Sequence, residues 1–365
     1  MLTNKIGINS YMLEQSFTGI EIYTKKLIDG IKERNINIEL YSYSNLSNHP
    51  EYSNILKSSK NEVCIGQLKK LFWNLIQINS LVSNDTYIFH APSFILPYFL
   101  PSKLKKIITV HDLAFLRYPQ YATFKEKLYY KLTLKHSLKN ADIIIAISKS
   151  TQNDIEEFFP EYSKKIKLIY NGYEDFSKIK SDDNIINKLK IKPKKYFLVV
   201  GTLHERKNIK KTIESFNLVN KQYPEYKLVI VGRNGDNIRE KYNIKNKNII
   251  FAGYVSNNEL ATLYKESFLF LFLSFYEGFG FPILEAMSCG IPVVTSNNSS
   301  LPEISGYSDD LLVNPNSKED ISEKMIDILS NDVLYKKLVL HSLKQIKKFS
   351  WEKMINETIS QYNTL

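Results

Sequence analysis

Short apolar runs rich in β-branched and aromatic residues alternate along the whole chain with longer segments of helical periodicity, and this alternation is what most restricts the fold. A strand that is apolar on both faces must be covered on both. Crossover helices of βαβ units do this, so the pattern predicts an α/β protein with parallel sheets. In the first half the predicted strands are Lys5 to Asn9, Ile38 to Tyr41, Thr86 to His90, Lys106 to Val110, Asp142 to Ile147 and Ile166 to Tyr170. In the second they are Tyr196 to Val200, Lys227 to Val231, Ile249 to Ala252, Phe268 to Ser274, Pro292 to Thr295 and Asp310 to Val313. Between these two sets of six, the stretch Asn171 to Lys195 is polar and rich in Lys and Asp, which places a domain boundary there. The expected division is 1–172, 173–348 and a last helical segment 349–365. A chain of 365 residues is long enough for two such domains, each with its own core.

Composition excludes several classes. Hydrophobic residues make up 43% of the chain and glycine and proline are scattered, which argues against disorder or a low-complexity tail. Cys64 and Cys289 are too few for a disulfide framework, and the N-terminal MLTNKIGINS has no signal-peptide core, so a cytoplasmic setting is expected. Apolar runs such as Phe268 to Leu273 fall far short of the roughly 18 residues of a membrane span. The net charge of +11 favours anionic partners, but the lysines are dispersed and neither zinc-finger spacing nor an RNP-type motif occurs, so no nucleic-acid partner is expected. One segment suggests a peripheral membrane contact. A helix over Gln67 to Leu81 would carry Leu68, Leu71, Phe72 and Leu75 on one face with Trp73 beside them and Lys69 and Lys70 opposite. Such stripes more often face a core. Lys127, Lys131, Lys135 and Lys139, four apart, predict a solvated helix face.

The stretch Phe275 to Gly290, FYEGFGFPILEAMSCG, sets Glu277 and Glu285 eight positions apart around a glycine-rich turn. An apolar strand precedes it, Pro282 suits the start of a helix, and Glu285 is expected in that helix's first turn. Ligands of open α/β sheets bind at the carboxyl ends of strands, and a helix N-terminus presents N–H donors to an anion. A phosphate-bearing ligand fits this pattern, although an ordinary amphipathic helix would also account for it.

Three other constellations could contact a ligand, two of them at predicted strand ends. After Val200 comes GTLHERKN, with Gly201 followed by the adjacent cations Arg206 and Lys207, which could neutralise a diphosphate. Alone, an Arg-Lys pair is far more often a solvated basic turn. Near the N-terminus, Ser16 to Ile20 forms a small-residue loop whose Gly19 lets backbone approach a ligand. His111, in TVHDLAFLRYP, follows the strand ending at Val110 and could exchange hydrogen bonds near neutral pH, although by chemistry alone a satisfied structural histidine is the more common case. No Asp-x-Asp motif and no metal-ligand spacing is present, so neither a cofactor nor a metal is expected.

These segments together resemble the family 4 retaining glycosyltransferases. The match rests on the E-x7-E stretch, its continuation GIPVVTSNNSSLPEI, the GTLHERKN segment and the VHDL segment, and it extends over essentially the whole chain. The resemblance implies the GT-B fold, two Rossmann-like domains of which the first holds the acceptor and the second the nucleotide sugar, with the last helix returning to the first domain. It implies transfer of a sugar from a nucleotide-sugar donor to a hydroxyl of a glycan or lipid-linked acceptor, with retention at the anomeric carbon. By the same resemblance, Arg206 and Lys207 bind the donor phosphates, Glu277 the sugar hydroxyls and Glu285 the ribose. The backbone around Gly278, Phe279, Gly280 and Phe281 receives the diphosphate; Gly19 and Gly201 lie near it; Tyr254 and Val255 border the base; and His111 contacts the sugar. Family members often have a glycine-rich loop where this chain has only Gly19. The VHDL and SSLPEI segments look most like members that use GDP-mannose in bacterial surface polysaccharide synthesis. A UDP-sugar-dependent transferase and a nucleotide-sugar binder without turnover are the alternatives.

Overall fold

A computed structural model of the chain describes residues 5–14, 19–44, 46, 48–58, 72–121, 123–232 and 239–365. The chain divides into two compact units, Met1–Gly172 together with Ser350–Leu365, and Tyr173–Phe349.

The first unit is built on seven parallel strands: β1 Lys5–Asn9, β2 Ile38–Ser42, β3 Leu56–Ser58, β4 Thr86–Ala91, β5 Lys105–Val110, β6 Ile143–Ala146 and β7 Ile166–Leu168. Their order is β3-β2-β1-β4-β5-β6-β7. The strand direction of build-up reverses between β1 and β4, so their carboxyl ends flank a switch point. One face is covered by the helix Gly19–Lys32, whose Tyr23, Leu27, Ile28 and Ile31 pack on Ile6, Ile8 and Ile88. The helix Trp351–Tyr362 lies on this same face, contributing Met354, Ile355 and Tyr362 to the cluster. Gly30 makes the helix contact possible, because any Cβ there would overlap the Ile355 side chain. Burying side chains of this kind stabilises by about 1.5–3 kcal/mol each. The other face carries a second core around Phe89, Ile108, Val110, Leu134 and Leu138, with the helix Phe124–Asn140 against it.

The second unit has five parallel strands: β8 Tyr196–Val200, β9 Lys227–Val231, β10 Ile249–Gly253, β11 Leu269–Phe272 and β12 Val293–Thr295. The order β10-β9-β8-β11-β12 puts its switch point between β8 and β11. Both sheets are wholly parallel, as the alternation of runs predicts.

Three expectations need correction. The two sets of six strands are seven and five. Leu56–Ser58 adds a short, partly polar edge strand that carries no apolar signal, and Asp310 to Val313 is not a strand. There, Asp309–Leu311 forms a 3-10 turn in which the Ser308 hydroxyl donates to the Asp310 carboxylate at 2.5 Å, and only Val313 bridges to Ser296. Local Ser and Asp bonding has outcompeted a short Leu-Leu-Val run. The helix expected over Gln67 to Leu81 is helical at residues 72–75 and continues as a 3-10 segment Gln77–Leu81; Leu68, Lys69, Lys70 and Leu71 lie outside the described residues. Within it Trp73 is fully buried among Tyr43, Phe89 and Leu96 rather than presented to a lipid surface, while Phe72 is half exposed. Third, Glu285 sits beyond the first turn of its helix, which begins at Phe281.

Candidate active site

Every strand of the second unit ends on one edge, and the segments leaving β8 and β11 are neighbours at its switch point. Gly201 leaves β8 opposite Gly232, where a Cβ would overlap the Gly201 carbonyl oxygen, so glycine is required for this approach. The next residues tighten into a 3-10 turn, Glu205–Lys207, capped by His204, whose Nδ1 accepts from the Arg206 N–H at 3.2 Å. Asn208, left-handed at φ 57°, turns the chain into the helix Ile209–Gln222 and donates from Nδ2 to the Pro315 carbonyl at 2.7 Å. The turn is also tied to the β11 exit: the Phe275 N–H donates to the Arg206 carbonyl at 2.9 Å. Arg206 in turn donates to the Tyr276 carbonyl.

These ties bring the two cations onto one carboxylate. Lys207 Nζ lies 2.6 Å from Glu277 Oε1 and Arg206 lies 3.1 Å from Glu277 Oε2. Lys207 Nζ also sits 5.0 Å above the Phe272 ring. Glu277 is buried, and burial alone would raise its pKa; the charges of Lys207 and then Arg206 outweigh this and hold it below the ordinary carboxylate value. The loop that carries it is pinned by two serines. The Glu277 N–H donates to Ser299 Oγ at 3.1 Å, and Ser300 Oγ lies within 2.9 Å of the Glu277 carbonyl and 2.7 Å of the Phe279 carbonyl. Gly278, Phe279 and Gly280 are buried, and Gly280, at φ 113°, caps the helix Phe281–Ser288 without a side chain. Only glycine takes that conformation without strain.

Glu285, one turn into this helix, is in a different electrostatic position. Its Oε2 accepts from the Tyr264 hydroxyl at 2.9 Å. Desolvation pushes its pKa up to about 7; the Tyr264 bond opposes this and Glu174 adds to it. Glu277 is therefore ionised and Glu285 only partly so near neutral pH. On the neighbouring side of the edge, Tyr254 follows β10 with 60% of its surface exposed, while Val255 is buried. Arg206, Lys207, Glu277 and the 278–281 loop are thus brought together, Glu285 lies one helical turn on, and Gly201, Tyr254 and Val255 lie along the same strand edge.

In the first unit Gly19 is the exposed first residue of its helix; Ser16, Phe17 and Thr18 lie outside the described residues. His111 follows β5 and is buried, its Nε2–H donating to the Pro92 carbonyl at 2.8 Å. Burial pushes its pKa down to about 4, so the ring is neutral at physiological pH and Nδ1 is an acceptor. Its backbone carbonyl accepts from Thr151 Oγ1 at 3.2 Å. Sequence reasoning missed Ser299, Ser300 and Tyr264. The two serines stand in the quoted SNNSSLPEI segment, but nothing in their spacing tells which backbone groups they hold.

Comparison with known proteins decides the family. The pattern described as Glycosyltransferase Family 4 matches residues 17–175, and that of Glycosyl transferases group 1 matches residues 181–345. The chain is 30% identical over 374 residues to O-antigen chain mannosyltransferase B of Escherichia coli, covering 98% of this chain and 96% of that protein. The chain belongs to glycosyltransferase family 4. It is accordingly a glycosyltransferase of a retaining family, and its fold is GT-B. Among solved structures, this family 4 glycosyltransferase is similar to sucrose-phosphate synthase from Thermosynechococcus elongatus, with TM-score 0.75 and 18% identity over 99% of this chain and 98% of that one. It is similar also to Anabaena HepE in complex with UDP and glucose, with TM-score 0.72 and 16% identity over 99% of this chain and 100% of the other. Likeness at that identity speaks for the fold alone.

Proposed function

We propose that this glycosyltransferase moves mannose from GDP-mannose to a hydroxyl of a glycan or lipid-linked acceptor in the assembly of a bacterial surface polysaccharide. The observation that carries the reading is the Arg206–Glu277–Lys207 cluster at the β8/β11 switch point, a buried carboxylate between two partly exposed cations, where a donor diphosphate would meet fixed positive charge. The choice of mannose is supported by the likeness to the Escherichia coli O-antigen mannosyltransferase.

In this reading Arg206, Lys207 and the backbone of Gly278 to Phe281 take the diphosphate, with Gly19 and Gly201 near it. Glu277 holds sugar hydroxyls, Glu285 the ribose, and Tyr254 and Val255 the base, and by the family resemblance His111 is a sugar contact. As the bond from the anomeric carbon to the phosphate oxygen breaks, the bond to the acceptor oxygen forms on the same face, and the acceptor proton passes to the departing phosphate. The leaving group supplies the base. The protein's share is to neutralise charge on the diphosphate and to hold the sugar.

GDP is expected to raise the melting temperature and UDP to leave it unchanged; stabilisation by UDP with none by GDP would remove mannose and leave a UDP-sugar-dependent transferase. Release of free sugar from a panel of nucleotide sugars tests turnover itself. A protein stabilised by nucleotide that turns over no donor would be a binder only.

A peripheral membrane contact has its own support, on a surface that keeps Phe72 from the expected helix face and extends beyond that helix. Among the described residues no helix is long and apolar enough to cross a membrane. The first unit does expose Phe72, Ile76, Tyr98, Phe99, Leu128 and Leu132. The Tyr98 N–H donates to the Leu75 carbonyl at 2.8 Å and the Tyr98 ring stacks on His136 at 4.0 Å, which joins these segments into one patch. Leu128, Leu132 and His136 repeat every four residues along a helix whose Lys131, Lys135 and Lys139 are exposed alongside. Aromatic and aliphatic groups beside lysines suit an anionic lipid interface. Co-sedimentation with vesicles containing anionic lipid is expected, weakening with salt; equal absence with anionic and neutral vesicles removes this contact.

A further inference from the structure

Behind His111 the first unit buries a line of polar groups that the transfer chemistry does not use. Tyr362 Oη lies 2.7 Å from His90 Nδ1, His90 Nε2 lies 2.9 Å from Thr109 Oγ1, and Thr109 Oγ1 lies 3.0 Å from Tyr23 Oη. These four side chains come from the helix Trp351–Tyr362, β4, β5 and the helix Gly19–Lys32, and each is essentially without solvent exposure. At its end the Tyr23 ring meets the His111 imidazole edge-on, with centroids 5.0 Å apart and planes at 84°.

The donors and acceptors along the line match one another. Burial holds His90 neutral, its pKa pushed down to about 3, and a neutral imidazole has one donor and one acceptor nitrogen. Hydrogen bonds can therefore run in one sense from Tyr362 through His90 and Thr109 to Tyr23, or all in the other, with no buried charge. Apolar side chains could fill this volume without the risk of unpaired polar atoms, so the network contributes fixed geometry rather than packing alone. His111 is held from its other side, where Nε2–H is committed to the Pro92 carbonyl. The ring is gripped between that carbonyl and the edge of Tyr23.

We infer that Tyr23, tethered through Thr109 and His90 to Tyr362, is a positioning residue that fixes the His111 imidazole so that Nδ1 accepts a hydrogen bond from a hydroxyl of the transferred sugar. This rests on the reading of His111 as a sugar contact. A misplacement of a contact group by about 1 Å can cost up to 10²-fold in rate.

The test uses the full chain, GDP-mannose and nitrogen-15-labelled histidine. Tyr23→Leu, which removes the ring, is expected to lower kcat between about ten- and a hundredfold while the donor KM stays within about twofold. Tyr23→Phe, which keeps the ring and loses the tether, is expected to fall between Tyr23→Leu and wild type in kcat and to shift the His111 ring resonances. Tyr362→Phe is expected to shift the His111 ring resonances although three hydrogen-bonded groups separate the two side chains. Wild-type kcat in Tyr23→Leu beside a crippled His111→Ala overturns the positioning role, as do His111 resonances unmoved in both Tyr23→Phe and Tyr362→Phe. If His111→Ala itself keeps wild-type kinetics, the sugar contact is what fails, and the resonances alone decide the coupling.

Discussion

The Glu277→Gln variant should lose about 10²-fold or more in kcat while its donor KM holds or falls. The scale is that of removing one well-placed electrostatic group in a site closed to water. The direction for KM comes from the structure. Glu277 engages both Lys207, at 2.6 Å, and Arg206, at 3.1 Å. A neutral amide of the same shape releases both cations toward the diphosphate, so ground-state binding is kept or improved while the group facing the developing positive charge on the sugar is lost. Breaking a buried pair by removing one charge typically costs 3–5 kcal/mol, but both cations here keep about a fifth of their surface, so a smaller loss in melting temperature is expected. Steady-state kinetics with a thermal melt as control measure all three quantities. Wild-type kinetics in a normally melting variant would reduce the E-x7-E stretch to a helix start.

Glu285 carries the opposite stability signature. Its folded pKa of about 7 stands above the ordinary 4.5, so between these values the folded chain keeps a proton that the unfolded chain has released. Stability from this group is therefore present below about pH 4.5 and falls as pH rises through 7, reaching a cost of about 3 kcal/mol above that range. Glu285→Gln removes the charge and keeps an acceptor for Tyr264, so it should melt higher than wild type at pH 8, with the gap closing toward pH 5. Activity moves the other way. If the carboxylate grips the ribose with a bond of roughly 1.5–3 kcal/mol, the variant's donor KM should rise about ten- to a hundredfold with kcat little changed. Wild-type donor affinity should also tighten as pH rises through 7. A variant no more stable than wild type at pH 8 would show that the carboxyl is not desolvated as described.

The parallel sheets were legible because apolar strands such as Tyr196–Val200 and Leu269–Phe272 are buried on both faces and carry the signal in every residue. Leu56–Ser58 was not, since an edge strand with a lysine and a serine needs only backbone pairing. The Leu-Leu-Val run at 311–313 misled for the converse reason: its hydrophobicity is real, and Leu312 and Val313 are buried, but Ser308 and Asp310 fix the local turn. Trp73 shows the limit of a helical stripe, which reveals that a segment is two-faced but not which face meets the core. At the site, residue types at strand ends could be read singly. That Lys207 and Arg206 share Glu277, 70 residues on in sequence, follows only from the adjacency of β8 and β11. The opposite pKa shifts of the two glutamates depend on neighbours, Lys207 for one and Tyr264 for the other, that no local pattern announces.

The place of the helix Trp351–Tyr362 bears on how the protein is made. Met354, Ile355 and Tyr362 belong to the same buried cluster as Ile6, Ile8 and Leu27, and the whole second unit lies between them in sequence. A ribosome delivers chain from the N-terminus, and domains commonly fold in that order. All seven strands of the first unit precede the second unit, yet the apolar face of the Gly19–Lys32 helix is completed only by residues 350–365, so that face stays uncovered until the whole second unit has been synthesised.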